Sequence, residues 1–512
     1  MELWLAIIIA AYMAVMVKAC LWLNNKNKSK NKLPPGPQGV PILTSIQWLR
    51  KTTMEVEEAL QSIYSKYGPI ITLSAVSRPF IFISSPSLAH EALIQKGAIF
   101  ANRPDALPTA RFLTSNQLSI SSASYGPTWR LLRRNLMSSV VHPSQAKDFS
   151  HARKWVLDIL LGRLRGNNVG VGSGETRVAE HFGYSMFALL VFMCFGDKLP
   201  ENQIKDIQII QYQLLTSFNR FQILNLSPAL TKILLKTRWK ELFNLRSKRS
   251  EILLPHIRAR MEYYKQNTSS CDKTKRMATS YVDSLFELEI SENGHPKRKL
   301  TEEELVTLCS EFLNAGTDTT STALQWIMAN LVKFPAIQDK VYQEIKELIG
   351  TEAKEVGDED LPKMPYLKAV VLEALRRHPP THFSLPHAVS EEVDLGGYKV
   401  PKNAVVFFTF AEMCRDSKVW KDPMEFKPER FMSNEEEIDI TGSREIKMMP
   451  FGVGRRICPA LRLAMLHLEY YVANLVWNFK WTSPDGYDVD LSEKQEFTIV
   501  MKHPLHAHLA PR

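Results

Sequence analysis

Cysteine is scarce in this chain. Six in 512 residues (Cys20, Cys194, Cys271, Cys309, Cys414 and Cys458) fall in neither C-x-x-C nor C-x-x-H spacing. That scatter excludes both a disulfide framework and a zinc site, and it fits a reducing compartment. Internal repeats, low-complexity blocks and long Gly/Ser linkers are also missing after the first fifty residues, so one large catalytic domain over residues 46–512 is the simplest organisation. No convincing dinucleotide fingerprint occurs. Nor is there an alternation of basic and aromatic residues or a groove-reading motif, so the formal charge of +10 does not point to nucleic acid.

Part of that charge lies near the N-terminus. Leu3 to Leu23 is apolar except for Lys18 and is followed by Lys26, Lys28, Lys30 and Lys32. The run is long enough to cross about 30 Å of hydrocarbon, which predicts a transmembrane signal-anchor helix over residues 1–23. The lysines then place the rest of the chain on the cytosolic side. A cleaved signal peptide would need a shorter apolar region, charge on the other flank and a cleavage motif. Residues 24–45 read as a basic and proline-rich hinge, stiffened by Leu33-Pro-Pro-Gly-Pro-Gln-Gly-Val-Pro41. The polar stretch Gln266 to Arg276 reads as an exposed loop whose Asn267 sequon would stay unmodified in the cytosol.

The densest local signal is Phe451-Gly-Val-Gly454-Arg-Arg456-Ile-Cys458-Pro459. Gly452 and Gly454 tolerate positive φ and let the backbone turn tightly against a flat group. Pro459 fits the first position of a helix continued by Ala460 to Val476. Cys458 is thereby expected at a helix N-terminus, where the dipole and N–H groups favour the thiolate. Taken alone, Cys458 would read as a small buried hydrophobe.

Three further stretches carry pattern. Thr301-Glu-Glu-Glu304 is a capping box, apolar residues recur at helical spacing from Leu305, and Pro335 stops the run, predicting a helix over Thr301–Phe334 of roughly 50 Å at about 1.5 Å per residue. Its middle, Ala315-Gly316-Thr317-Asp318-Thr319-Thr320, is poor helix sequence, and a break there is expected to open the backbone ladder. Glu373 and Arg376, three apart in a helical stretch from Tyr366 to His378, share a face, a pattern common on solvated helices. Tyr125-Gly126-Pro127 opens another helix, with Trp129 and Arg133 on one face.

Together these motifs resemble the cytochrome P450 haem-thiolate monooxygenases, whose signature is Phe-x-x-Gly-x-Arg-x-Cys-x-Gly, and plant-type microsomal members in particular. The match runs from the proline hinge to the cysteine loop, with one departure, Ala460 in place of the last glycine. The resemblance implies a mainly α fold with a small β-sheet near the N-terminal third. It implies haem b, with Cys458 as axial thiolate, between the long helix and the Cys458 helix. It assigns Arg456, Trp129, Arg133 and His387 to the haem, and adds Arg430 of Phe426-Lys-Pro-Glu-Arg430-Phe431 to a buried structural network with Glu373 and Arg376. Asp318 would relay protons, and Thr319 would orient the hydrogen bond that favours O–O cleavage over loss of hydrogen peroxide.

The reaction implied is insertion of one oxygen atom from O2 into a hydrophobic small molecule. Its NADPH-derived electrons would arrive from NADPH–cytochrome P450 reductase, docked on a basic face including Arg130, Arg134, Arg455 and Arg462. The protein would sit in the endoplasmic reticulum membrane as a single-pass protein in contact with membrane lipid. Two rival functions are a reductase-independent isomerase or dehydratase acting on peroxides and a non-catalytic membrane haem-binding protein; the Asp318–Thr319 pair and the complete motifs argue against both. Segments expected to line an apolar pocket include Leu113, Leu118, Ile120, Phe312, Leu313, Phe383, Leu385, Phe497, Ile499 and Val500.

Overall fold

The computed structural model describes residues 33–37, 53–74, 78–167, 175–268, 280–291, 296–432, 438–484 and 487–512. The anchor expected over residues 1–23 and all of the hinge but residues 33–37 lie outside these residues; of the loop expected over Gln266 to Arg276, residues 266–268 instead continue the helix Lys236–Thr268 and residues 269–276 lie outside. Among the described residues, one helix, Val178–Phe195, is long and apolar enough to cross a membrane, with mean hydropathy 1.5. Its window is 78% buried inside the protein, which identifies it as a core helix.

The chain divides into two compact units. The first takes residues up to Pro104, then Thr381–Val419 and Asp439–Ile457. Helix α1 (Thr53–Tyr67) precedes strands β1 (Ile70–Ser74) and β2 (Pro79–Ile83), and the same sheet recruits β3 (His387–Ala388) and β4 (Val405–Phe408) from far along the chain, in the order β1-β2-β4-β3. β1 runs antiparallel to β2, β2 parallel to β4 (Phe80 opposite Val405), and β3 antiparallel to β4 (His387 opposite Val406). The sheet expected near the N-terminal third is thus assembled from both ends of the sequence. Side-chain alternation divides its faces: Ile81, Ile83, Val406 and Phe408 pack with Leu93 and Val453, whereas Phe80, Phe82 and Phe407 face Leu60, Ile63 and Tyr64 of α1. Phe82 and Phe407 stack at 5.1 Å, a cross-strand pair that helps fix the β2–β4 register. Along the outer edge of β1, the Thr72 N–H donates to the Pro35 carbonyl, so the described part of the hinge covers an otherwise open strand edge.

The second unit, Asp105–Pro380, Trp420–Ile438 and Cys458–Arg512, is mainly helical. Its principal helices are α2 (Pro127–Leu136), α3 (Val178–Phe195), α4 (Glu302–Lys333), α5 (Pro365–Arg377) and α6 (Leu461–Asn478). Helix α4 begins with the expected capping box: the Thr301 side chain accepts from the Glu304 N–H, and the Glu304 carboxylate accepts from the Thr301 N–H. It packs against α3, and at Gly316 an added Cβ would come within 2.3 Å of Leu190 Cδ1. The glycine therefore permits a close helix crossing. A hairpin of Glu493–Gln495 and Ile499–Met501 closes the unit on its C-terminal side.

Candidate active site

Helix α4 does not break at Ala315–Thr320; it remains helical throughout. The hydroxyls that were expected to open it bond back to its own carbonyls: Thr317 Oγ1 donates to Leu313 O at 2.7 Å and Thr319 Oγ1 to Ala315 O at 2.8 Å. Accessibility is what distinguishes the region. Leu305 to Ser310 and Thr322 to Val332 are buried, whereas Ala315 is exposed and Asp318 and Thr319 are partly accessible. A long core helix therefore presents a bare central window. Phe312, expected to line a pocket, is partly accessible and stacks on Tyr281 at 4.8 Å.

Asp318 is held in that window by the C-terminal hairpin. Thr498 Oγ1 donates to Asp318 Oδ2 at 2.8 Å and lies 2.9 Å from Thr322 Oγ1. Burial raises the Asp318 carboxyl above the ordinary range, the Thr498 hydrogen bond opposes that rise, and the charge of Glu496 adds to it. Thr498 lies 180 positions from Asp318, and nothing in its local sequence marks it.

Gly452 and Gly454 have φ of 68° and 75°, the left-handed region that glycine enters without strain. For Gly454 space matters as well, because a Cβ would sit 2.2 Å from the Leu93 carbonyl oxygen. Past this loop, helix α6 begins at Leu461 with Ala460 as its N-cap, so Pro459 precedes the helix and is not its first residue. Ala460 has φ of −97°, a value that alanine adopts without strain, so its extra methyl imposes no backbone cost. Its N–H bonds the Cys458 sulfur.

The electrostatics at Cys458 differ from the sequence expectation. Burial pushes the thiol up by more than the Ala460 N–H and the Arg133 guanidinium bring it down. The polypeptide by itself thus favours the neutral thiol, and a bound cation would be needed to deprotonate it outright. Arg133 lies 5.5 Å from the ring centroid of Trp129, whose indole N–H donates to Ile120 O at 3.1 Å.

In the first unit, three basic side chains lie on neighbouring backbone. Arg456 Nε donates to Ala101 O at 2.7 Å, His387 Nδ1 lies 2.7 Å from Phe100 O, and Arg103 donates to Leu385 O and Pro386 O at 3.0 and 2.8 Å. Burial, then the charges of Arg103 and Arg456, depress His387 to about 3, so its imidazole is neutral. Burial brings Arg103 down to about 10, which still leaves it charged at neutral pH. Sequence reasoning missed Arg103. Its only sign was a lone arginine before a proline in the apolar setting Phe100-Ala-Asn-Arg-Pro104.

The structure brings Glu373, Arg376 and Arg430 together. Arg376 donates twice to Glu373, from Nε at 2.7 Å and from a terminal nitrogen at 2.9 Å, with both residues fully buried. Arg430 Nε adds a 3.3 Å bond to Glu373 Oε1, which also accepts the Lys427 N–H at 2.8 Å. Arg376 reaches on to Pro423 O and Arg430 to Asp422 O, so the carboxylate and both guanidiniums are satisfied.

Haem b presents an iron that takes an axial side-chain ligand such as a thiolate, two carboxylates and a broad apolar face. Each unit by itself holds chemistry that suits part of it: the second a partly accessible Cys458 thiol that receives an N–H and an accessible stretch in the middle of α4, the first a buried Arg103 guanidinium and a neutral His387 imidazole suited to carboxylates. Among the described residues Cys458 is the one cysteine that is not buried, and it precedes a helix in a mainly helical unit, the arrangement expected of a haem-thiolate protein. The sequence model of the family described as Cytochrome P450 matches residues 34–510, and the chain belongs to that family. It is 47% identical over 494 residues, 94% of each chain, to Cytochrome P450 89A9 of Arabidopsis thaliana. It is 31% identical over 506 residues to the isoflavone 3'-hydroxylase of Medicago truncatula, covering 96% of this chain and 95% of that one. A solved zebrafish cytochrome P450 with progesterone superposes with a TM-score of 0.72 at 22% identity, over 90% of this chain and all of that one, which establishes the fold. The protein is an oxygen-incorporating oxidoreductase; family and fold imply haem b with a cysteine thiolate ligand, O2 and NADPH-derived electrons, a redox partner and a hydrophobic substrate.

Proposed function

We propose that this chain is a membrane-bound monooxygenase in which Cys458 ligates the haem iron and electrons come from a separate NADPH–cytochrome P450 reductase. Residues 46–512 would form its catalytic domain, tethered by the hinge over 24–45 to a single-pass anchor over 1–23 in the endoplasmic reticulum, facing the cytosol. When bound, the haem supplies oxygen activation under the electron push of the thiolate. Arg456, Arg133, Trp129 and His387 would hold its carboxylates, together with Arg103. The Trp129 indole N–H would then exchange the Ile120 carbonyl for a carboxylate.

The accessible middle of α4 is the observation that supports the proposal, because it leaves Asp318 and Thr319 within reach of a bound molecule in an otherwise buried helix. The single hydroxyl proton of Thr319 is engaged with Ala315 O. Its oxygen is thus available as an acceptor, and it can donate to another group only by turning its hydroxyl away from Ala315 O. Asp318, with its carboxyl raised by burial, retains a proton to higher pH than an exposed aspartate and can supply the relay.

Membrane contact is supported by an apolar patch in the second unit: Ile223, Leu226, Leu230, Ile233 and Leu234 are all exposed, Ile233 by 77%. Reductase docking is supported by the exposed Arg130, Arg134 and Arg462 of that unit. The test is reconstitution in liposomes with the reductase and NADPH. NADPH-driven oxygen consumption that requires the reductase and weakens on reversing the charge of Arg134 and Arg462 is expected. Turnover of a hydroperoxide without NADPH would favour the isomerase reading instead.

A further inference from the structure

We infer that Thr498 is a positioning residue for Asp318, which it holds in either protonation state by means of a reversible hydroxyl chain completed by Thr322. This inference rests on the proton-relay reading of Asp318. Proton counting sets the direction of the chain. Thr498 has one hydroxyl proton, and with Asp318 ionised it must donate that proton to Oδ2, so Thr322 must donate to Thr498 across the 2.9 Å contact. When Asp318 is protonated, its own O–H can donate to Thr498, whose hydroxyl then turns to Thr322. No hydrogen bond between the three residues is lost in either state. A chain of hydroxyl rotors therefore lets the half-buried carboxyl change charge while both contacts of Thr498 persist.

The hairpin that carries Thr498 is fixed independently. Trp326 Nε1 donates to Ile499 O at 2.8 Å, and the Ile499 N–H donates to Pro380 O at 2.9 Å. Glu493 Oε1 lies 2.9 Å from Nδ1 of His378, whose ring stacks on Trp326 at 3.9 Å. Trp326 and His378 are both fully buried or nearly so, so the hairpin strands have rigid anchors on α4 and at the end of α5. Thr498 itself is 1% exposed, which excludes bulk water as a substitute for its hydroxyl. The other charged group that influences Asp318 is Glu496, held by Lys494 at 2.9 Å, and the Asp318 charge in turn raises Tyr212 of the helix Glu201–Phe221.

The test uses the full haem-loaded protein with Thr498→Val, Thr498→Ser and Asp318→Asn. The carboxylic C=O infrared band of Asp318, identified by its loss in Asp318→Asn, is titrated against pH. Removing a donor to the carboxylate is expected to move the titration midpoint up by about one unit in Thr498→Val, with the Ser variant close to wild type. Hydrogen exchange of the 493–501 peptide is expected to rise in Thr498→Val and to return in Thr498→Ser. An unmoved midpoint in a folded Thr498→Val protein would overturn the inference while leaving the relay intact. If Asp318→Asn consumes oxygen at the wild-type rate with NADPH and reductase, the relay reading fails, and the reaction role of Thr498 fails with it.

Discussion

Glu373→Ala is expected to abolish haem incorporation and not merely to slow turnover. Glu373 and Arg376 are both inaccessible to solvent, and the carboxylate is the common acceptor for Arg376, Arg430 and the Lys427 N–H. Its removal leaves one guanidinium fully buried and a second nearly so without their counter-charge. Such a defect commonly costs about 3–5 kcal/mol, a large fraction of the stability of an ordinary domain. Arg376 also ties α5 to the backbone at Pro423, and Arg430 holds Asp422, so the loss spreads to the segment between residues 421 and 430. Haem content per mole of protein and the thermal midpoint are the measurements, and both are expected to fall together. Glu373→Gln keeps an acceptor but not the charge, and it should lie between the two.

Asp318→Asn is expected to act in the opposite manner: haem content stays normal while the reaction slows. Asparagine preserves the shape and can still accept from Thr498, so the hairpin contact at 2.8 Å survives in outline. What is lost is a titratable proton in the accessible window. A positioned acid or base contributes typically about 10²–10⁴-fold. NADPH-driven oxygen consumption with the reductase should therefore fall by about 10²-fold or more, with unchanged spectral haem content. A small change would assign proton delivery to water or to Thr319 alone.

Features that depend on neighbours in sequence were legible in advance. The capping box at Thr301 and Glu304 needs only a spacing of three, and α4 starts there. Glu373 and Arg376 share a face for the same reason, although their complete burial depends on residues 47 to 57 positions away. Non-local relations were hidden. The β2–β4 pairing joins Phe80 to Val405, Arg103 meets carbonyls some 280 residues later, and Thr498 meets Asp318 across 180. Local propensity also misled at one place. The Gly- and Thr-rich middle of α4 was expected to break, but packing on α3 requires the glycine and the threonine hydroxyls bond within the helix, so tertiary contact overrides propensity. At Cys458, the N–H of Ala460 was anticipated in kind, but the desolvation that outweighs it could only be seen in the folded chain.

The central claim is that Cys458 supplies the iron ligand, and the carbon monoxide difference spectrum of the reduced protein tests it most directly, with Cys458→Ser alongside. The account predicts a strongly red-shifted Soret band of the thiolate type in the wild type and its loss in the variant. A well-folded, haem-containing wild-type protein without that band, or a serine variant that retains it, would contradict the account.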